Sequence, residues 1–397
     1  MIRIKEIISK YREVTYGSFA LLLPGVITSL LLFLISSNRL LPNNIDCTIF
    51  TLNLIQLYML GITIVKYGID QVVLSRLQEG ASTELREFFA KRVLPLTLIF
   101  SLIIAIIKGW MHGLFFIIAL PIEVFIIIVS VELSINKQYS LSSIIKLMGY
   151  PFFLSMIFIA DKLNHVSPRT ILIIFVSIVI ARGLMAYRVR RNQQRLPVAI
   201  LSYQIPLQQI SNFFLFRADQ IIIATGLGIY FLGDTNFVGN YLFLAKFPEA
   251  AAGIIVGLGP IIYPYMSNLM DKSLTDLLKN RVFILLSFSL LITQVLISLY
   301  IFKPVETVTD YLLFLPFAVT SLLTIPVLLV IYILIRETKI ALINQLNLVS
   351  AIVGLLVFGI SLYINNIYVF SCIIPIQLLL FLVGYKLSSK NKNSILQ

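Results

Sequence analysis

Residues 213–225 read FFLFRADQIIIAT, an apolar run interrupted at its centre by Arg217 and Asp219. A charge in the middle of a bilayer-spanning helix costs about 2.5 to 3.5 kcal/mol even on the lenient insertion scale, so such a residue marks a site with a task. The next apolar run outward, 242–255 (LFLAKFPEAAAGII), repeats the anomaly by setting Lys246 and Glu249 on either side of Pro248. Proline removes a backbone hydrogen bond, so these charges sit where a helix is opened. Charged, interrupted helices at the centre of a membrane chain are typical of a polar path through the bilayer.

The rest of the chain supplies the membrane setting. Of 397 residues, 59% are hydrophobic and 12% charged, with a mean hydropathy of +0.96, which excludes an ordinary soluble domain. Apolar windows of about 20 residues predict twelve spans, at 17–36, 48–65, 93–107, 114–133, 141–160, 170–187, 200–227, 237–262, 282–302, 311–335, 340–363 and 367–385. The net charge of +13 would first bring nucleic acid to mind, but the distribution of the cations excludes that reading. With the N-terminus inside, the outer segments hold only Arg39, Lys108, Lys162, Arg169 and Lys303 of the 31 Lys+Arg. The positive-inside rule then places both termini in the cytoplasm, and the basicity is topological. The first span has no small-residue cleavage site and is expected to stay in the membrane. Cys47 and Cys372 both fall toward the outer halves of their spans and are read as packing residues rather than as a disulfide.

The polar stretch 188–197 (RVRRNQQRLP) divides the spans into six and six, giving an N-terminal lobe over 1–191 and a C-terminal lobe over 192–397. Six spans per half give both halves the same orientation, as in parallel repeats facing each other across a cleft. The expected fold is therefore all-α, with two six-helix lobes around a central cleft. The inner segment 66–92 reads as an amphipathic helix lying on the membrane surface. In the seventh span, Gln204, Gln208, Ser211, Asn212 and Asp219 fall within about a quarter of the helical circumference, with Arg217 nearly opposite. Residues two apart do not face each other on a helix, so Arg217 and Asp219 each need a partner elsewhere. The eleventh span carries a milder stripe, Asn344, Asn347, Ser350 and Gly354; the fourth carries Glu123 after Pro121. Spans 282–302 and 367–385 are nearly featureless and are expected to face lipid.

Three stretches resemble the polysaccharide branch of the multidrug, oligosaccharidyl-lipid and polysaccharide exporter superfamily. YGIDQVVLSR (67–76) is similar to the Gly-x-Asp-x5-Arg pattern that closes the second helix of O-antigen and capsule flippases, with Gly68, Asp70 and Arg76 in the fixed places. FRADQIIIATGLG followed by GNYLFLAKFPEAA resembles the branch's aspartate-then-Gly-x-Tyr stretch, through Asp219, Gly239 and Tyr241, and PIIYPYMSNL (260–269) resembles its close of the eighth helix. The resemblance implies the two-lobe architecture shared with multidrug exporters. It also implies a flippase that moves undecaprenyl-diphosphate-linked oligosaccharide, an O-antigen or capsule repeat unit, from the inner to the outer leaflet of a bacterial cytoplasmic membrane. A polysaccharide polymerase and a chain-length regulator are the partners it suggests.

The residues themselves support a similar mechanism. A sugar diphosphate head cannot cross hydrocarbon, whereas its polyprenyl tail need never leave it. Arg217, Lys246 and Arg182 are the cations at membrane depth able to meet diphosphate. Gln204, Gln208, Asn212, Tyr241, Asn344 and Asn347, with Tyr203 nearby, could meet sugar hydroxyls. Asp219, Glu249 and Glu123 either couple transport to protons or sodium or neutralise neighbouring cations; Glu249 is equally an i,i+3 structural partner of Lys246. Arg182 is alternatively a snorkelling anchor, and the Asn and Gln stripes alternatively helix-to-helix glue. Asp70 and Arg76 read as a structural tie. The prolines at 24, 121, 206, 248, 260, 264 and 326 are possible hinges, and Gly253 and Gly257 a close-packing face. No cofactor, metal site or acid–base pair is expected, since His112 and His165 stand apart from acids and nucleophiles. The rival readings are a cation-coupled multidrug exporter, which would favour a lumen of carboxylates and aromatics, and a polysaccharide polymerase, which would need a long outer loop.

Overall fold

The computed structural model describes residues 45–68, 82–83, 85–136, 138–191, 198–199, 203–225, 308–337 and 339–393, with single helical positions within 23–34 and 241–249 and at 288, 292 and 296. Hydrocarbon offers no water to bond backbone N–H and C=O groups, so a spanning chain must close those bonds within itself as helix. Eight of the described helices are long and apolar enough to cross a bilayer: Asp46–Val65, Leu85–Lys108, Trp110–Leu133, Tyr139–Lys162, Pro168–Arg191, Phe314–Ile335, Ile340–Ile364 and Ile367–Ser388. They make this a multi-pass membrane protein. The expected spans at 17–36, 237–262 and 282–302 fall largely outside the described residues.

The described residues divide into two compact units, with a chain boundary between Pro206 and Leu207. The first contains α1 (Ile45–Val65), β1 (Ser82–Thr83), α2 (Leu85–Phe88), a π turn at Phe89–Val93, and α3 (Leu94–Lys108). It continues with α4 (Trp110–Ile135), α5 (Tyr139–Leu147), α6 (Tyr150–Lys162), α7 (Pro168–Arg191) and β2 (Val198–Ala199). The strands form a two-residue antiparallel ladder, Ser82 opposite Ala199 and Thr83 opposite Val198. Helix α4 is the hub, packed by α3, α7, α5 and α1. An edge-on aromatic cluster fills the centre, with Phe175 at 4.8 Å from Tyr58 and 4.4 Å from Phe153, and Phe115 at 4.9 Å from Phe116. Gly61 makes room for it, because a Cβ there would lie 2.8 Å from Phe100 Cε1. Leu98, Leu102 and Ile106 repeat every fourth residue on the exposed face of α3, as a lipid-facing stripe requires.

Two expectations are corrected in this unit. Residues 85–92 do not belong to a surface helix, since α2 and the π turn run directly into α3 and extend the third span back to Leu85. The fifth span is not one helix: α5 stops at Leu147 and α6 starts at Tyr150, across Met148 and Gly149. Pro151 stands in the first turn of α6, where its missing N–H costs nothing.

The second unit contains α8 (Gln204–Thr225, entered at the boundary), α9 (Val308–Arg336), α10 (Ile340–Ile364), α11 (Ile367–Ser371) and α12 (Ile373–Asn393). Helix α12 packs along both α10 and α9. In α9 the buried Thr320, Ser321 and Thr324 donate to the carbonyls of Pro316, Phe317 and Thr320, four residues back, and so satisfy their own hydroxyls. The last span is not featureless. It divides at Cys372 between α11 and α12, Asn366 caps α11 by accepting from the N–H groups of Tyr368 and Val369, and Gln377 is buried beside Gly354. Cys47 and Cys372 are free thiols.

Candidate functional site

The first striped span is broken where its charges lie. Arg217 has φ −144° and ψ 16°, outside the helical region, so α8 consists of two helical pieces joined at that residue. No proline or glycine stands at the break. Asp219 begins the second piece; its Oδ1 accepts from the Gln220 N–H at 2.7 Å and its Oδ2 from the Tyr241 hydroxyl at 2.6 Å. A carboxylate there satisfies a backbone donor that a helix start leaves open and faces the positive end of the peptide dipoles. Tyr241 is fully buried, edge-on to Phe317 at 4.9 Å and near Phe370 at 5.4 Å.

Glu249 gathers the cations. Lys246 Nζ lies 2.9 Å from Glu249 Oε2 and donates to Gln220 Oε1 at 3.2 Å, while Arg217 Nε lies 3.4 Å from Glu249 Oε1. The Arg217 guanidinium also stands 5.3 Å from the Phe213 ring. The Lys246 side chain is 3% exposed, Glu249 10% and Arg217 20%, so Arg217 is the outermost member. Among the described residues, two cations and two carboxylates thus gather at a helix break in the apolar region. A buried charge without a partner would cost far more than this arrangement does.

The neutral stripes meet as well. Asn347 Nδ2 of α10 donates to Ser211 Oγ at 2.8 Å and Asn212 Oδ1 at 2.7 Å on α8, and Ser211 reaches Asn344 Oδ1 at 3.5 Å. Asp219 is not part of this stripe. It bonds Tyr241 from the second piece of α8, because the break at Arg217 resets the helical phase that the unbroken wheel had assumed. Gln204 sits on the first turn, half-buried, and Tyr203 is exposed.

In the first unit Arg182 is held inside the protein. Its NH1 donates to Glu123 Oε2 at 2.8 Å and its Nε to the Ile145 carbonyl at 3.0 Å, and Glu123 Oε2 also accepts from Tyr58 Oη at 3.1 Å. The guanidinium occupies the space where a Cβ on Gly149 would fall, 3.0 Å from Cζ. Arg182 therefore plugs the break between α5 and α6 and bonds a carbonyl near the end of α5, which corrects the snorkelling alternative. A pair that sequence reading missed lies nearby: Arg190 makes a two-pronged bond to Glu132, 2.9 Å on each arm, with both side chains largely buried. Glu132 at the end of the fourth span was the available signal.

Gly68 has φ 78°, a conformation suited to glycine, in the turn after α1. Asp70 and Arg76 lie outside the described residues, as do Gly239, Gly253, Gly257, Pro260 and Pro264. Among the described residues no group of three or more His, Cys, Asp or Glu is placed to hold a metal ion. Comparison of the chain with protein-family models, with curated proteins and with solved structures found no match.

Proposed function

We propose that the chain is a flippase that carries an undecaprenyl-diphosphate-linked oligosaccharide from the inner to the outer leaflet of a bacterial cytoplasmic membrane by alternating access between two six-helix lobes. The observation that carries this reading is the balanced cluster of Arg217, Lys246, Glu249 and Asp219 at a broken membrane helix. Diphosphate is the anion most suited to compete there: it replaces Glu249 as the partner of Arg217 and Lys246, and the guanidinium fork matches its oxygens. Arg217, the least buried member, meets it first. Glu249, once displaced, is left without its cations and takes up a proton or a cation, which links substrate entry to an ion gradient. Arg182 and Glu123 serve the first unit as a structural tie within this scheme.

A drug-cation exporter would profit from carboxylates in excess of cations, and this cluster offers no such excess. Both termini are cytoplasmic on this reading, and a polymerase and chain-length regulator take the product. Replacing Lys246 by alanine should abolish surface polysaccharide while the protein still reaches the membrane. Normal glycan ladders from that mutant would remove the proposal's main site.

A further inference from the structure

The second unit holds another polar place whose groups are not used up by internal bonding. Beside the Asn347, Ser211 and Asn212 bonds, both polar atoms of Gln208, Oδ1 of Asn347, Oγ of Ser350 and Oε1 of Gln377 are buried with no hydrogen-bond partner among the described residues. The residues are 0%, 1%, 0% and 2% exposed. Native proteins rarely leave such groups unmet, and inside a membrane no bulk water relieves them. Gln208 lies one helical turn before Ser211 and Asn212 on the same face of α8, and Ser350 one turn after Asn347 on α10, so the unmet atoms line one seam. Gln377 enters from α12 across Gly354, where any Cβ would overlap its amide.

Helix α10 packs along α12, and it bonds α8 through the side chains of Asn347, Ser211 and Asn212. Parting α8 from α10 would release groups that gain by meeting a ligand. The inventory selects the ligand. Gln208 offers two donors and an acceptor, Ser350 one donor and acceptors, and Asn347 and Gln377 acceptors. A phosphate only accepts and would leave Asn347 and Gln377 unmet; a bare cation would leave the Gln208 amide protons unmet. Sugar hydroxyls both donate and accept. Gln208 and Arg217 are also about 13 Å apart along the helix at 1.5 Å per residue, room for consecutive parts of one head group.

We propose that the seam between α8 and α10 opens to hold the uncharged sugar of the lipid-linked glycan, with Gln208, Asn347 and Ser350 as the residues that recognise it. The proposal rests on the flippase reading for the identity of the glycan but not for the opening or for sugar binding. The test introduces Ser350→Cys into a full-length chain carrying Cys47→Ala and Cys372→Ala, reconstituted in vesicles and treated with a small polar methanethiosulfonate. The introduced thiol should be labelled, and labelling should slow at least fivefold with undecaprenyl diphosphate bearing a neutral disaccharide, but not with undecaprenyl diphosphate alone. No labelling, or equal protection by both lipids, would overturn the proposal. Protection by the free disaccharide with no translocation of either lipid would keep the seam and remove the flippase reading. In parallel, Gln208→Leu and Ser350→Ala should raise the Tm, since each removes unmet buried groups, yet should lower translocation of the disaccharide lipid at least tenfold. Translocation at the parent rate in both variants would mark the seam as mere packing and overturn the proposal.

Discussion

Arg217 joins the two halves of a helix, faces Glu249 and is the most exposed charge of its cluster. Neutralising it with glutamine leaves Glu249 its bond to Lys246, whereas Arg217→Glu places a new carboxylate against Glu249 in a poorly hydrated site. The reversal should therefore cost more than the neutralisation, by about 2 kcal/mol or more. Glycan ladder density, normalised to the amount of folded protein, would check this. Equal phenotypes would assign Arg217 to packing. Asp219 and Tyr241 are coupled more simply, through one short bond. Tyr241→Phe should lower stability by about 1.5 to 3 kcal/mol, the range for a hydrogen bond to a charged group, and would register as a lower Tm in detergent. The need for separate partners at Arg217 and Asp219 was legible from their spacing of two, and the Lys246 and Glu249 pair from a spacing of three. The identity of the other partners was not, because Tyr241 and Gln220 reach those sites only after folding.

At the scale of elements, two of the internal breaks organise the charged networks. Arg182 fills the gap at Gly149 while binding Glu123 and the Ile145 carbonyl, so one side chain ties α7 to α4 and to the end of α5. Arg182→Met should destabilise the protein by about 3 to 5 kcal/mol, since it strands a buried Glu123, and the double replacement Glu123→Met with Arg182→Met should recover most of the loss. Thermal unfolding of the single and double variants measures this directly; a double variant no more stable than the singles would contradict it. The candidate hinges were prolines, yet Pro121 and Pro326, like Pro316, lie within helices that continue through them. The breaks beside the charged networks occur instead at Gly149, two residues before Pro151, and at Arg217. The first was legible in principle, because a proline in a first turn announces a helix start. The second was not, since nothing in the local sequence at Arg217 disfavours helix, and tertiary bonds to Glu249 and Tyr241 accompany the distortion.

Over the whole molecule, hydrophobic patterning identified the eight described spans, because 20-residue apolar windows and the bilayer's thickness are the same constraint. The 22-residue α8 stands outside that set because the polar residues that make it interesting lower its apolar content. Patterning was least informative about which apolar faces pack and which meet lipid, as the last span shows with its buried Gln377. The excess of cations on one side predicts that a phosphatase fused after residue 397 is inactive and a cytoplasmic fluorescent reporter bright. The central claim is that paired charges in the second unit yield to an anionic head group. Its most direct test is translocation of undecaprenyl-diphosphate-linked oligosaccharide in vesicles containing only the purified protein. The account predicts transfer well above that of protein-free vesicles, and transfer at background with Lys246→Ala. Equal transfer by the parent and the Lys246→Ala protein, or none by either, would contradict it.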